Sequence, residues 1–209
     1  MRLGHLGTGL ALVVLVAPLG GSAHAAKATP AEKCASTKQK LVAKKIGALT
    51  ACDSQAVQHG TAVAQACVTK VQTTFSDDWT KAEAKGGCAT TGDKGNIENK
   101  VDTFDTSLQS LLEVSGAASK CTAAKFKEAG TKASCEIHCD AKSASKGTAV
   151  DSTCITKCQT KFAAACSKAE KKSDCHTTGD CITVEEQVDA FATDVAAELS
   201  ATPTMITTH

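Results

Sequence analysis

Cys135-Glu136-Ile137-His138-Cys139 is followed, across a Gly-containing turn, by Cys154-Ile155-Thr156-Lys157-Cys158. Two cysteines four residues apart share one face of a helix, so a pair of such helices folded back on each other can be tied by two rungs. In an antiparallel hairpin, partners have a nearly constant sum of residue numbers, and 135 with 158 and 139 with 154 both sum to 293. The stretch therefore predicts a helical hairpin with Cys135 bonded to Cys158 and Cys139 to Cys154.

Outward from this ladder the chain repeats. Cys34, Cys52, Cys67 and Cys88 recur 87 residues later as Cys121, Cys139, Cys154 and Cys175, with no insertion or deletion between them. Gly60-Thr61-Ala62-Val63 recurs as Gly147-Thr148-Ala149-Val150, Lys81-Ala82-Glu83 as Lys168-Ala169-Glu170, and Thr90-Thr91-Gly92-Asp93 as Thr177-Thr178-Gly179-Asp180. An ungapped repeat predicts two copies of one supersecondary unit, over 32–116 and 117–201. Each copy reads as three helices. The first runs from about Glu32 to Gln58, stopped by Gly60, and in the second copy from Ser119 to Gly147. The second starts near Val63 and ends at Gly86-Gly87, with Asp151 or Ser152 as N-cap of its counterpart. The third carries Ile97, Val101, Phe104, Leu108 and Leu112, or Val184, Val188, Phe191, Val195 and Leu199, in steps of three and four, with Thr183 and Glu186 fitting a capping box. With no strand signal, the predicted fold is all-α: two tandem three-helix units, each a disulfide-clamped antiparallel hairpin plus a third amphipathic helix.

The same arithmetic extends the disulfide framework. Cys52 with Cys67 sums to 119 and Cys34 with Cys88 to 122, whereas the crossed pairing gives 101 and 140, which cannot belong to one hairpin when bridged Cα atoms must lie within about 7 Å. The equivalent pair at the far end of the second copy is Cys121 with Cys175. That copy also has four cysteines of its own, Cys135, Cys158, Cys166 and Cys181, aligned with Ala48, Val71, Trp79 and Lys94. With 135 and 158 in the ladder, 166 and 181 remain to join the second helix to the third. Trp79 is expected to fill by bulk the place Cys166 fills by a bond.

Residues 1–25 read as an export signal: Arg2, an apolar run from Leu10 to Val16 too short to span a bilayer, and Ala23-His24-Ala25 as a cleavage site. A disordered leader over 26–31 and a tail over 202–209 flank the two units. No cysteine lies near the cut, so no lipid anchor is expected, and no membrane association is expected after cleavage. All 12 cysteines follow the signal, which makes six disulfides in an oxidising, secreted or periplasmic setting the expectation. Five Phe, one Trp and no Tyr build a thin core that cross-links would reinforce. The only Arg is Arg2, and beyond the signal 22 Lys face 22 Asp and Glu. Without Arg the chain lacks the planar fork for bidentate phosphate and base contacts, so nucleic acid is not an expected partner. Lysines spread this evenly read as a solvated helix surface.

The paired C-x3-C motifs, Cys135 to Cys139 and Cys154 to Cys158, resemble those of the small Tim chaperones and related helical hairpin proteins, a likeness of bridge geometry. Over nearly the whole mature chain, Lys33-Cys34, Cys52, Cys67 and the run Lys81-Ala82-Glu83-Ala84-Lys85-Gly86-Gly87-Cys88-Ala89-Thr90-Thr91-Gly92-Asp93, with its second copy from Lys120 to Asp180, resemble exported bacterial cysteine-rich repeat proteins. That resemblance implies a family and no activity.

Other chemistries are weaker matches. Cys135, Cys139, Cys154 and Cys158 could hold zinc as thiolates, and His138 and His176 each stand beside a cysteine, but a neighbour on a helix points about 100° away. Asp93 with Glu98, or Asp180 with Glu185, could offer oxygens to calcium, yet acidic residues at loop spacing are too few, and capping explains the same residues. There is no G-x-S-x-G, C-x-x-C, C-x-x-C-H or H-E-x-x-H motif, and His59, His138, His176 and His209 form no constellation. The expectation is a non-enzymatic protein without cofactor, in a binding or structural role that could include a protein partner. A Cys/His metal-binding protein and a thiol-disulfide or hydrolytic enzyme are the alternatives.

Overall fold

A computed structural model describes residues 27–200. The signal and the 202–209 tail lie outside the described residues. Six helices, and no strand among the described residues, make the protein all-α.

Helix α1 (Pro30–His59) starts earlier than expected. The Thr29 hydroxyl accepts the Glu32 backbone N–H at 3.2 Å and the Glu32 carboxylate accepts the Thr29 N–H at 2.6 Å, a capping box with Pro30 in the first turn. Pro30 and Ala31, expected in a disordered leader, are therefore helical. The helix stops at Gly60, where φ is 63° and a Cβ would meet the Ala118 nitrogen at 2.8 Å. Helix α2 (Gln65–Ala84) ends just ahead of Gly86-Gly87, and α3 (Lys94–Leu111) follows the Thr-Thr-Gly-Asp loop.

Helix α4 (Lys120–Ala144) is capped by the Ser119 hydroxyl, which accepts the Thr122 N–H at 2.9 Å, and it ends three residues short of Gly147. Of the two caps considered for α5 (Ser152–Glu170), Asp151 serves, its carboxylate accepting the Thr153 N–H at 2.9 Å. The capping box expected from Thr183 and Glu186 does not form. Helix α6 (Cys181–Glu198) begins with Asp180 at the N-cap, so Thr183 already lies inside the first turn.

The first helices of the two halves form the centre of the molecule. Gly47 lies against Ser134 and Gly130 against Thr50, the Ser54 hydroxyl donates to the Ala123 carbonyl at 2.8 Å, and the Ser119 N–H donates to Val57 O at 3.0 Å. Their residue sums stay between 176 and 181, so α1 and α4 run antiparallel. A Cβ at Gly130 would fall 1.8 Å from Thr50 Oγ1, and this absent side chain sets how closely the axes approach. Around this pair, α2 packs on α1, α5 on α4 and α6, and α3 on α1 and α6. Phe104 of α3 stacks on Phe191 of α6 with centroids 4.3 Å apart. Val42, Ile46, Trp79 and Phe104 from one half and Phe126, Ile137, Phe162 and Phe191 from the other belong to one continuous core. Among the described residues no helix is long and apolar enough to cross a membrane.

Candidate functional site

Every cysteine lies in a disulfide. In the first half Cys34 bonds Cys88 and Cys52 bonds Cys67, with Cα atoms 5.1 and 6.1 Å apart. In the second, Cys121 bonds Cys175 at 4.8 Å, Cys135 bonds Cys158 at 5.8 Å, Cys139 bonds Cys154 at 5.9 Å, and Cys166 bonds Cys181 at 6.0 Å. Four of these pairs are those the residue sums pick out, Cys121–Cys175 is the equivalent of Cys34–Cys88, and Cys166–Cys181 is the pair left over; no bridge joins one half to the other. Packing, the Ser54–Ala123 and Ser119–Val57 hydrogen bonds and the Lys100–Asp194 ion pair at 2.6 Å hold the halves together.

Cys135, Cys139 and Cys158 bring their sulfurs within 4.8 Å of one another, and Cys166, Cys181 and Glu170 form a similar group. Bonded sulfurs offer no thiolate, so ligation there requires reduction first. His138 turns back on its own helix, its Nδ1 2.7 Å from the Ser134 carbonyl. The half-buried His176 donates its backbone N–H to the Thr122 hydroxyl, and neither ring nitrogen has a hydrogen-bond partner. Neither imidazole joins a sulfur cluster.

Most of the lysines are exposed, as their even spread suggests, but four depart from that reading. Lys38, Lys45, Lys125 and Lys132 are between 0 and 3% exposed. Lys38 Nζ meets Glu83 at 2.8 Å, Asp93 at 2.7 Å and the Thr90 carbonyl at 2.8 Å. Lys125, 87 residues on, meets Glu170 at 3.1 Å, Asp180, and the Thr177 carbonyl at 2.9 Å. Asp93 and Asp180 therefore sit at N-cap positions without capping: each accepts from a lysine and from the hydroxyl of Thr90 or Thr177 instead. Burial would raise both carboxyls, but the lysine and threonine bonds outweigh it and hold them below the ordinary range. An ammonium thus occupies the place the calcium reading gave to a cation.

Glu98 and Glu185 belong to a second pair of stations. Lys45 lies 3.8 Å from Glu98 and 3.9 Å from Asp102, and Lys132 pairs with Glu136 at 2.8 Å, with Glu185 at 3.8 Å and with Asp189. Burial lowers the Lys45 pKa against the opposing pull of Asp102 and Glu98. Buried charges are tolerated when paired and hydrogen-bonded, so these stations fasten helices rather than present free groups. The sequence did carry a signal for them, since every member except Glu136 recurs at the same 87-residue offset.

What remains open is the seam between α1 and α2, where a cavity of about 430 Å³ is walled by Leu41, Ala48, Val71 and Phe75 and closed at one end by the Cys52–Cys67 bridge. Lys44, Lys70 and Asp78 also line it. Its size falls within the roughly 300–1,000 Å³ of small-molecule sites. In the second half the positions of Ala48 and Val71 are held by the bonded Cys135 and Cys158, and the Cys158 sulfur lies 3.9 Å from that of Cys139, so two adjacent rungs cross the equivalent seam. Sequence comparison of the halves marked this substitution but not the space it leaves.

Together these features define a disulfide-stapled all-α protein with an apolar cavity between two of its helices. No protein-family model, no curated protein and no solved structure matches the chain.

Proposed function

We propose that this is an exported binding protein, secreted or periplasmic and not an enzyme, that takes a small apolar ligand into the α1–α2 cavity. Six disulfides suit an oxidising compartment. The halves are two copies of one three-helix unit of the exported cysteine-rich repeat type. In support, Gly47 meets Ser134 and Phe104 stacks on Phe191, and in each contact a position touches its own equivalent 87 residues away, as across a two-fold axis. In this reading the copies have diverged in role. The second is clamped shut, and the first has kept an open seam.

The observation that carries the reading is the cavity at Ala48 and Val71, where the other copy has a covalent rung. Titration with the uncharged fluorophore N-phenyl-1-naphthylamine tests it. The wild-type chain should bind one equivalent saturably. Ala48→Cys with Val71→Cys, confirmed as bridged by mass, should weaken binding at least about ten-fold with unchanged helical circular dichroism, because the added bond removes the ligand's space. Ala48→Trp, which fills the cavity without a bond, should do the same. Full binding by both variants, or no saturable binding by wild type, overturns the proposal.

A further inference from the structure

The cavity has a charged rim as well as an apolar wall, and the two are arranged unequally. Lys44 and Asp78 stand on α1 and α2 with nitrogen and oxygen 3.6 Å apart, a contact longer than a hydrogen bond between an exposed lysine and a partly buried carboxylate. The Asp78 carboxylate is also 3.3 Å from Lys81, so one anion answers two ammonium groups. Lys45 lines the same space, but its ammonium lies 4.7 Å over the Phe75 ring and is turned to Glu98 and Asp102. Lys70 is different. It is exposed, lies one helical turn beyond Cys67 at the bridged end of the cavity, and makes no ion pair or side-chain hydrogen bond among the described residues. The cleft's other nearby acid, Asp77, faces a separate polar groove with Gln72 and Ser76.

We infer that the occupant is a single-tailed anionic amphiphile, a free fatty acid, with its hydrocarbon chain between Leu41, Val71 and Phe75 and its carboxylate at the rim on Lys70, with Lys44 adding to the positive field. This rests on the cavity reading above and specifies its ligand. The chemistry selects each half of such a molecule. Apolar walls favour an acyl chain, because binding gains in proportion to the apolar surface removed from water. An unpaired ammonium at the mouth favours a carboxylate over a neutral or cationic head. About 430 Å³ sits at the low end of the range for ligand sites, which suits one chain rather than the two of a phospholipid.

The test is calorimetric titration of the full chain with dodecanoate, dodecanol and dodecyltrimethylammonium, three probes with one tail and different heads, the ionic ones below their micellar concentrations and the alcohol below its solubility limit. Dodecanoate should bind about ten-fold tighter than the alcohol and more tightly still than the cation. Lys70→Gln should reduce the acid-to-alcohol ratio about five-fold, the scale of one exposed charge pair, and Lys44→Gln with Lys70→Gln should bring it near one. Raising the salt should lower the ratio as well. Equal binding of acid and alcohol, tighter binding of the cation, or a preference for acid that survives the double substitution overturns the inference. If N-phenyl-1-naphthylamine still binds in those cases, the cavity reading stands and only the choice of ligand falls; if it does not bind, both fall.

Discussion

Asp53 of α1 and Asp105 of α3 meet under the surface, 4 and 7% exposed, with the Gln109 amide reaching both at 3.4 and 2.8 Å. One oxygen of each carboxyl has no other partner. Burial pushes the Asp53 carboxyl up to about 6; burial and then the Asp53 charge push Asp105 up to about 7, and the two titrate as a pair. Both folded values lie above the unfolded value of 3.8, so the folded chain holds extra protons and the stabilisation from the pair is full below about pH 4. It is lost as pH rises through 6 and 7. Asp105→Asn keeps a hydrogen-bonding group there and removes the second charge. Its denaturation midpoint should gain on wild type steadily from pH 4 to 7.5 and hold that advantage above. A constant difference across this range would show that the pair does not share a proton. The buried lysines carry the same lesson at residue scale. Lys38 and Lys125 look like any surface lysine in composition, and only their carboxylate partners distinguish them, 45 residues further on as Glu83 and Glu170 and 55 residues further on as Asp93 and Asp180.

Among elements, the α4–α5 hairpin is the best constrained. Cys135→Ala together with Cys158→Ala removes one whole rung and leaves the 139–154 and 121–175 bridges to keep the hairpin closed. A lone bridge closing about 15 residues is worth roughly 3 kcal/mol in the chain-entropy account, and nested loops do not add, so the loss should be about 1–2 kcal/mol in urea denaturation. Cys135→Ala alone behaves differently. It frees Cys158, whose sulfur lies 3.9 Å from Cys139, within easy reach of attack on the neighbouring bridge. Peptide mapping should find one disulfide set in the double variant and a mixture in the single one. A homogeneous single variant would show that the rungs do not exchange.

At the scale of the whole molecule, α1 and α4 form a shared centre and the other helices differ in how firmly they are held. Helix α5 is tied by three bridges and packs on both α4 and α6, whereas α2 has the single Cys52–Cys67 bond and packs principally on α1 across the cavity. Amides of α2 should therefore exchange with solvent faster than those of α5, and both faster than the buried stretch of α1 against α4. Equal protection of α2 and α5 by mass-resolved exchange would mean the open seam is as rigid as the laddered one. Helices, hairpins and cysteine partners were legible in the sequence because each depends on local spacing: a 3.6-residue period, a glycine stop, or a constant residue sum between adjacent helices. Thr183 and Glu186 misled because Asp180, just ahead of them, already starts the helix while its own side chain is drawn to Lys125. The antiparallel docking of α1 on α4, the burial of four lysines and the cavity beside Ala48 had no such local rule. They follow from which faces meet across long separations in the chain, so the tertiary structure alone decided them: Gly130 had to meet Thr50, and Lys38 its carboxylates, before packing could determine which charges were enclosed and which space was left unfilled.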